Sequence, residues 1–316
     1  MNQKKKEKFI QKYISIITLI LFYFILGILN PKFMGIYNLK TILIKSSILA
    51  ALSTGTTYVL LIGSIDLSIG GIISCSAVLC AILLPKFGYY AYFLVMIFGL
   101  VMGLFNGILV AKGKIPSFVA TLGTSSICLS VAYVISGGKP VSISNKMNCY
   151  REFIVNEFLG ISNIVFISLF FILIAWFILR FSVFGKYIYS VGNDEKVVLF
   201  SGVNVEFIRI KAFVVNDILA AIGGILLFGR MGSGTPSIGN NYLLITIAAA
   251  VVGGTSLTGG SGNVGSAIVG ALLITLINNG MNVIGVDPFI QSIVIGIILI
   301  IFVSINLDRG KIPVLK

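Results

Sequence analysis

Long apolar runs, separated by short polar gaps, follow one another along most of this 316-residue sequence. A helix needs roughly 20 residues to cross the hydrocarbon core of a bilayer, and most of the runs approach that length. Lipid offers the backbone no hydrogen-bond partner, so such runs cross it as α-helices that satisfy their own N–H and C=O groups. The sequence therefore predicts an all-α integral membrane protein, a polytopic bundle of about ten transmembrane helices.

These helices belong to a single transmembrane domain at 13–308, between a basic N-terminus at 1–12 and a C-terminus at 309–316. The first run is followed by Asn30-Pro31-Lys32-Phe33 rather than by a small-residue cleavage site, so it is read as a span and not as a signal peptide. The eighth run is too short to cross a bilayer and is expected to break near its end. The predicted spans are 13–29, 42–62, 67–85, 91–111, 115–135, 163–180, 212–229, 243–254, 264–284 and 288–306.

The basic residues predict the orientation of the bundle. Net charge is +13, which in a soluble protein would indicate nucleic-acid binding. Here the Lys and Arg residues lie in short gaps between apolar runs, as the positive-inside rule describes for loops of membrane proteins. The expected partner of the chain is therefore the lipid bilayer and not nucleic acid. Ten spans put 15 of the 23 basic residues on the side of the two termini, which predicts that both are cytoplasmic. Three exceptions lie together on the outer side: Lys32, Lys40 and Lys45.

Groups that catalyse reactions or bind metals are scarce. Only 10% of the residues are charged, histidine is absent, and the four cysteines form no CxxC pair. No glycine-rich segment continues into the Lys-Ser or Lys-Thr of a phosphate-binding loop. We therefore expect a protein that is not an enzyme, holds no metal or cofactor, and does not itself bind ATP through such a loop.

Two glycine-rich segments interrupt the apolar runs. The first surrounds Asp66 and reaches Gly70, and the second covers 253–262. Paired interruptions of this kind in a membrane protein point toward a substrate path. The alternative for Asp66 is that it caps the helix that follows. Asp217, beside Asn216, is a second carboxyl group at membrane depth, and its alternative is an early-turn position in its helix.

Asparagines also punctuate the apolar runs, at Asn106, Asn216, Asn278, Asn279 and Asn282. Hydrogen bonds between helices explain most such residues, while amide groups would also suit the hydroxyls of a sugar.

The cytoplasmic loop at 181–211 contains the signature of a short helix. Asn193 is a candidate cap, Asp194 and Glu195 suit a first turn, and Gly202 a C-terminal end. The apolar residues at 197–200 need something to pack against. Two interpretations remain, a helix that lies on the lipid surface and a helix that docks a partner protein.

In order along the chain, four stretches resemble the permease subunits of ribose-type ABC importers, which carry simple sugars and related compounds. They are Gly63-Ser64-Ile65-Asp66-Leu67-Ser68-Ile69-Gly70, Asn106-Gly107 through Lys114-Ile115-Pro116 to Thr121-Leu122-Gly123-Thr124, Glu195 to Ser201-Gly202, and Gly253-Gly254-Thr255-Ser256-Leu257-Thr258-Gly259-Gly260 followed by Asn278-Asn279-Gly280.

The resemblance implies a cell-membrane transport subunit that works with separate partners. These are a cytoplasmic ABC ATPase, an extracytoplasmic solute-binding protein and a second permease subunit, identical or different. It implies ATPase coupling through the short helix of the inner loop, with candidate residues Asp194, Glu195, Val198, Phe200, Ser201 and Gly202. Candidates for the translocation path are Asp66, Ser68, Gly70, Asn106, Ser256, Thr258 and Asn279.

The sequence departs from the family at three points. Lys196-Val197 replaces a pair of small residues, Ser64 stands where glycine is usual, and Leu243 and Ile245 stand where acidic residues often follow Tyr242. The last departure leaves the solute open, with a simple sugar such as ribose first, and leaves open whether two identical permease chains pair. The alternative function is a secondary transporter driven by an ion gradient, which would need coupling carboxylates such as Asp66 and Asp217.

Overall fold

The computed structural model describes residues 19–28, 30–143 and 148–306, and most of this part of the chain is helical. The predicted terminal segments at 1–12 and 309–316 lie outside the described residues. In chain order the helices are α1 (Leu19–Ile28), a 3₁₀ turn (Pro31–Met34), α2 (Ile36–Leu61), α3 (Ile69–Phe87), α4 (Tyr90–Ala111), α5 (Ser117–Ser136), α6 (Asn148–Val155), α7 (Asn163–Phe181), α8 (Val183–Asn193), α9 (Glu195–Phe200), α10 (Val205–Met231), α11 (Asn240–Val252), α12 (Val264–Val283) and α13 (Pro288–Asn306).

Seven of these helices are long and apolar enough to cross a membrane, namely α2, α3, α4, α5, α7, α10 and α12. Three shorter apolar helices, α1, α11 and α13, coincide with the first, eighth and tenth predicted spans. The predicted polytopic all-α class is confirmed, since each predicted span overlaps a helix.

Helix α10 crosses the centre of the bundle and packs against α2, α3 and α4. Glycines at every fourth position of α4 line its contact with α10. A Cβ atom added at Gly99, Gly103 or Gly107 would come within 2.5–2.7 Å of α10 atoms. Small residues at this spacing let two backbones approach closely, which is how helices associate in lipid.

The two ends of α10 define the two ends of the bundle. We call the end where α10 begins, beside α8 and α9, the inner end, and the end where it meets α6 the outer end. Two small antiparallel ribbons accompany α6 and the end of α10. β1 (Val141–Ser142) pairs with β4 (Ser233–Gly234), and β2 (Glu157–Phe158) pairs with β3 (Ile161–Ser162).

Polar side chains cap several helices where the sequence turns from loop to apolar run. Ser182 accepts a hydrogen bond from the Gly185 N–H at the start of α8, Asn204 one from Phe207 in α10, and Asn263 one from Ser266 in α12. Each bond satisfies one of the N–H groups that the first turn of a helix leaves unpaired.

Two sequence predictions need correction. The cap of α9 is Asp194, whose carboxylate accepts from the N–H groups of Lys196 and Val197, while Asn193 ends α8. Helix α10 begins at Val205 rather than at 212, because its charged first turns were counted as loop. Between α5 and α7, where no span was predicted, lie the short helix α6 and the ribbon of β2 and β3.

Candidate functional site

The first glycine-rich break folds back into the bundle. Helix α2 ends at Leu61, and the non-helical segment 62–68 then returns to the level of Gly55, because Asn216 contacts both Gly55 and Asp66. Backbone groups freed by the break are satisfied by α5, where Ser117 and Thr121 accept hydrogen bonds from the N–H groups of residues 65 and 67, at 3.1 and 2.9 Å. Irregular backbone at membrane depth is tolerated where protein covers it in this way.

A buried polar cluster of five side chains forms where this break meets α4 and α10. Its members are 0–1% exposed: Asp66, Ser68, Asn106, Asn216 and Asp217. The Asn216 amide donates to Asp66 Oδ2 at 2.8 Å and to Asp217 Oδ1 at 3.1 Å. The Asn106 amide donates to Asp217 Oδ2 at 2.8 Å and to Ser68 Oγ at 2.9 Å. Both carboxyl groups therefore lie in one hydrogen-bonded network that joins three elements.

Asp66 also organises the start of α3. Its Oδ1 accepts from the Ser68 N–H at 2.7 Å and from the Ser68 hydroxyl at 2.6 Å. This is a local side-chain-to-backbone bond in the turn before the helix. The N-cap position of α3 is Ser68, so Asp66 does not cap the helix, and its carboxyl group is buried in the cluster instead. Within the described residues none of the three ion pairs reaches the cluster, and the buried Asn106 Oδ1 has no hydrogen-bond partner.

Two helices begin side by side next to this cluster. Gly70, in the first turn of α3, lies against Gly239, which precedes α11, and a Cβ on Gly70 would come 3.1 Å from the Gly239 carbonyl oxygen. The Gly239 N–H donates to Ser74 Oγ at 2.9 Å. Because helix N-termini carry partial positive charge, the two starts place positive potential close to the Asp66 carboxyl group.

The two glycine-rich breaks meet at the inner end. The Gly260 N–H donates to the Leu61 carbonyl oxygen at 2.8 Å, and a Cβ on Gly63 would come 3.4 Å from the Thr258 carbonyl oxygen. Ser256 and Thr258 bond each other through their hydroxyls at 2.9 Å inside the second break. We call the contact between the two breaks, together with Tyr189 and Gly192 at the end of α8, the inner junction.

Comparison with known proteins identifies the family. The family of branched-chain amino acid transport system / permease components matches residues 38–303. The chain belongs to this permease family. The ribose import permease protein of Haemophilus influenzae is 33% identical over 302 residues, 94% of this chain and 93% of the relative. That of Bacillus subtilis is 35% identical over 309 residues, 95% and 94%. The D-allose transport system permease protein of Escherichia coli is 31% identical over 306 residues, 95% and 92%.

The resemblance that the four sequence motifs carried is thereby confirmed, and the protein is a membrane transport permease. No solved structure is significantly similar to the chain.

The end of α8 completes the inner junction of this permease. Gly192 packs directly on the Leu61 carbonyl oxygen and on Gly260, with no room for a side chain. The Tyr189 hydroxyl donates to the Gly262 carbonyl oxygen at 2.9 Å. Burial raises the pKa of Tyr189 above its usual value, so the hydroxyl keeps its proton and remains a donor. One segment thus contacts both breaks.

Helix α9 continues from this segment and presents an apolar surface at the inner end of the permease. Asp194 caps it, Val198 is buried beneath it, and Glu195 holds Arg209 of α10 in an ion pair of 2.6 Å. Ser201 and Gly202 end it, the latter with a φ of +77°. Three apolar side chains on it are exposed, Val197, Leu199 and Phe200.

Asn279, a predicted path residue, lies apart from these groups. It is buried in α12, and its amide donates to Asn38 Oδ1 at the start of α2 at 2.7 Å. Sequence reasoning missed Tyr189 and Gly192, because they lie in α8, a helix that no apolar run indicates.

Proposed function

We propose that this chain is the membrane-spanning permease subunit of an ATP-driven importer, and that its solute is a simple sugar or sugar-like compound with ribose first. The relatives named above import ribose and allose, and their similarity extends over at least 92% of their own length. ATP hydrolysis belongs to a separate cytoplasmic subunit. A solute-binding protein delivers the solute at the outer end, and a second permease chain completes the path.

The observation that carries this proposal is the exposed apolar surface of α9. Phe200 is 88% exposed, although a short helix outside the membrane-crossing runs has no lipid core to cover such a side chain. The cap by Asp194, the buried Val198 and the ion pair of Glu195 hold the helix in place. A rigid apolar surface next to both breaks is suited to bind an ATPase subunit and to transmit the movement of that subunit to the breaks.

The translocation path of this proposal runs past the two helix starts and the polar cluster. Alternating access follows when the ATPases pull α9 and the two breaks move with the inner junction. Gly70 lets the backbones of α3 and α11 pass closely, while Asp66 holds the break to Asn216 of α10 and Ser68 holds it to Asn106 of α4. The topology we propose for this path has ten spans and both termini in the cytoplasm.

The docking surface is tested by co-purification. The Phe200→Asp variant should lose the ATPase subunit when the tagged chain is purified in mild detergent, because a charge replaces the apolar contact. The matched control is Leu159→Asp, at an equally exposed leucine of the outer ribbon. The control should retain the ATPase. Equal recovery of an ATPase with both variants would remove the docking role of α9.

A gradient-driven carrier is the second candidate, and the buried pair of Asp66 and Asp217 is the observation that favours it. The discriminating variant is Asp66→Asn, which keeps the shape of the side chain. Uptake that follows a proton gradient and disappears in this variant would support the carrier. Uptake that depends on ATP and survives in part would exclude it.

A further inference from the structure

A group of basic side chains gathers at the outer ends of α2 and α10. The two helices are antiparallel, because Gly55 of α2 lies against Asn216 of α10 while Leu52 lies against Gly223. Both helices advance about 1.5 Å per residue, so seven residues outward from the Leu52–Gly223 contact, Lys45 of α2 lies opposite Arg230, in the last turn of α10. The axes of packed helices are about 8–10 Å apart, so these two long side chains are close enough for their charges to repel each other.

No acidic side chain in the described part of the permease pairs with them. The three ion pairs there are Lys40–Glu157, Lys114–Glu206 and Arg209–Glu195. Lys45 and Arg230 are both half-buried. Half-buried like charges without a counter-ion are costly, and a bound anion would relieve both the repulsion and the desolvation.

Two further groups surround this pair. Arg151 of α6 lies over Gly232, and its Nε donates to the Gly229 carbonyl oxygen at 2.8 Å. That bond holds the guanidinium beside the end of α10 and leaves its Nη groups without a hydrogen bond to the described residues. Tyr242 of α11 is half-buried in the turn that follows Gly239, and Gly239 packs on α3, the helix that also contacts α10. Its hydroxyl also makes no hydrogen bond to the described residues.

The residues that follow Tyr242 do not neutralise the group. Residues 243–245 are Leu-Leu-Ile, and Leu243 packs on the first turn of α3, against Gly70. The group therefore offers basic donors and a phenol, and no acidic residue directly follows Tyr242 to oppose an anion.

We propose that Lys45, Arg230, Arg151 and the Tyr242 hydroxyl form an anion site on the outer side of the path, and that the solute is a sugar-like compound with a carboxylate or phosphate group. The inference rests on the proposed import function and puts a sugar acid or sugar phosphate ahead of neutral ribose as the solute. Guanidinium and ammonium groups bind carboxylate and phosphate oxygens through charge-assisted hydrogen bonds. A neutral sugar would leave the basic group without a counter-ion.

The test is the thermal unfolding midpoint of the purified permease–ATPase complex at constant ionic strength. The probes are D-ribose 5-phosphate, D-ribonate and neutral D-ribose. The wild-type complex should be stabilised by an anionic probe at concentrations where ribose has no effect. Lys45→Gln removes the charge and keeps most of the side-chain length, so the half-saturating concentration of that probe should rise about tenfold or more. Lys139→Gln, at an exposed lysine after α5, is the control and should leave it unchanged.

Three results would overturn the anion site. In the first, ribose raises the unfolding midpoint as much as the anionic probes do. In the second, Lys45→Gln and Lys139→Gln change the half-saturating concentration equally. In the third, phosphatidylglycerol micelles raise the midpoint and the anionic probes do not. The last would mean that the basic group binds lipid headgroups. A parallel uptake assay separates this inference from the function on which it rests, because ATP-dependent uptake of neutral ribose alone would contradict the anion site and leave the importer intact.

Discussion

Replacing Asn216 by leucine should destabilise the permease by about 2–4 kcal/mol. The side chain is 1% exposed, and its amide donates both to Asp66 and to Asp217. A hydrogen bond to a charged group contributes about 1.5–3 kcal/mol, the value we assign to the 2.8 Å bond to Asp66. The longer bond to Asp217 is counted at the average for hydrogen bonds between membrane helices, about 0.6 kcal/mol. Leucine has the same branched skeleton of four side-chain heavy atoms, so the sum counts the lost hydrogen bonds alone.

The assay is unfolding of purified protein by SDS in mixed micelles, followed by circular dichroism. Asn278→Leu makes the same chemical change at a half-buried position whose side chain has no hydrogen bond to the described residues. We expect that control to stay within about 0.5 kcal/mol of wild type. A loss below about 1 kcal/mol for Asn216→Leu would refute the reasoning, because the cluster would then contain no charge-assisted bond across α10.

Three further predictions follow from the junction, the helix starts and the outer end. Tyr189→Phe removes the hydrogen bond to the Gly262 carbonyl oxygen, so uptake per ATP hydrolysed should fall while ATP hydrolysis continues. The control is Tyr187→Phe, because the Tyr187 hydroxyl makes no hydrogen bond to the described residues, and it should change neither uptake nor ATP hydrolysis. Gly70→Leu should abolish uptake because the Gly239 carbonyl oxygen leaves no room for the side chain, whereas Gly123→Leu, at a position that faces open space, should transport normally. Cys149 is exposed on α6 while Cys75, Cys80 and Cys128 are buried, so an impermeant maleimide should label one cysteine per chain in intact cells. Labelling only after permeabilisation would reverse the predicted orientation.

Hydropathy located the membrane-crossing helices well, because the length of an apolar run is itself the physical requirement for crossing lipid. It failed where a helix does not need to be apolar throughout. The first turns of α10 contain Glu206, Arg209 and Lys211, and α6 and α8 are short helices with polar sides. Such helices are stabilised by packing against the bundle, which a run of apolar residues does not reveal.

N-cap preference could not distinguish between two neighbouring residues that cap helices equally well. Asn193 and Asp194 are both good N-caps, and the fold selects Asp194 because the Asn193 carboxamide lies against Gly260 of the second break. The same limit applies to the candidate site. The sequence singled out Asp66, Asn106 and Asp217 separately, but only the register of α4 against α10 brings them into one network.

The path residues were predicted as one set and lie in three places. Asp66, Ser68 and Asn106 are in the polar cluster with Gly70 beside it, Ser256 and Thr258 are in the second break, and Asn279 bonds Asn38 at the far end of α12. The two glycine-rich segments predicted paired interruptions, and the structure places them in direct contact through Leu61 and Gly260. Their role in transport remains a prediction.

ATP-dependent uptake in proteoliposomes tests the central claim most directly. The tagged chain is purified from its native membranes with its partners, reconstituted and supplied with the solute-binding protein. Uptake should require ATP on the side of α9, stop with a non-hydrolysable ATP analogue, and persist when proton and sodium gradients are collapsed. Uptake by the chain alone, without ATP and abolished by collapse of an ion gradient, would contradict the account and identify a secondary transporter.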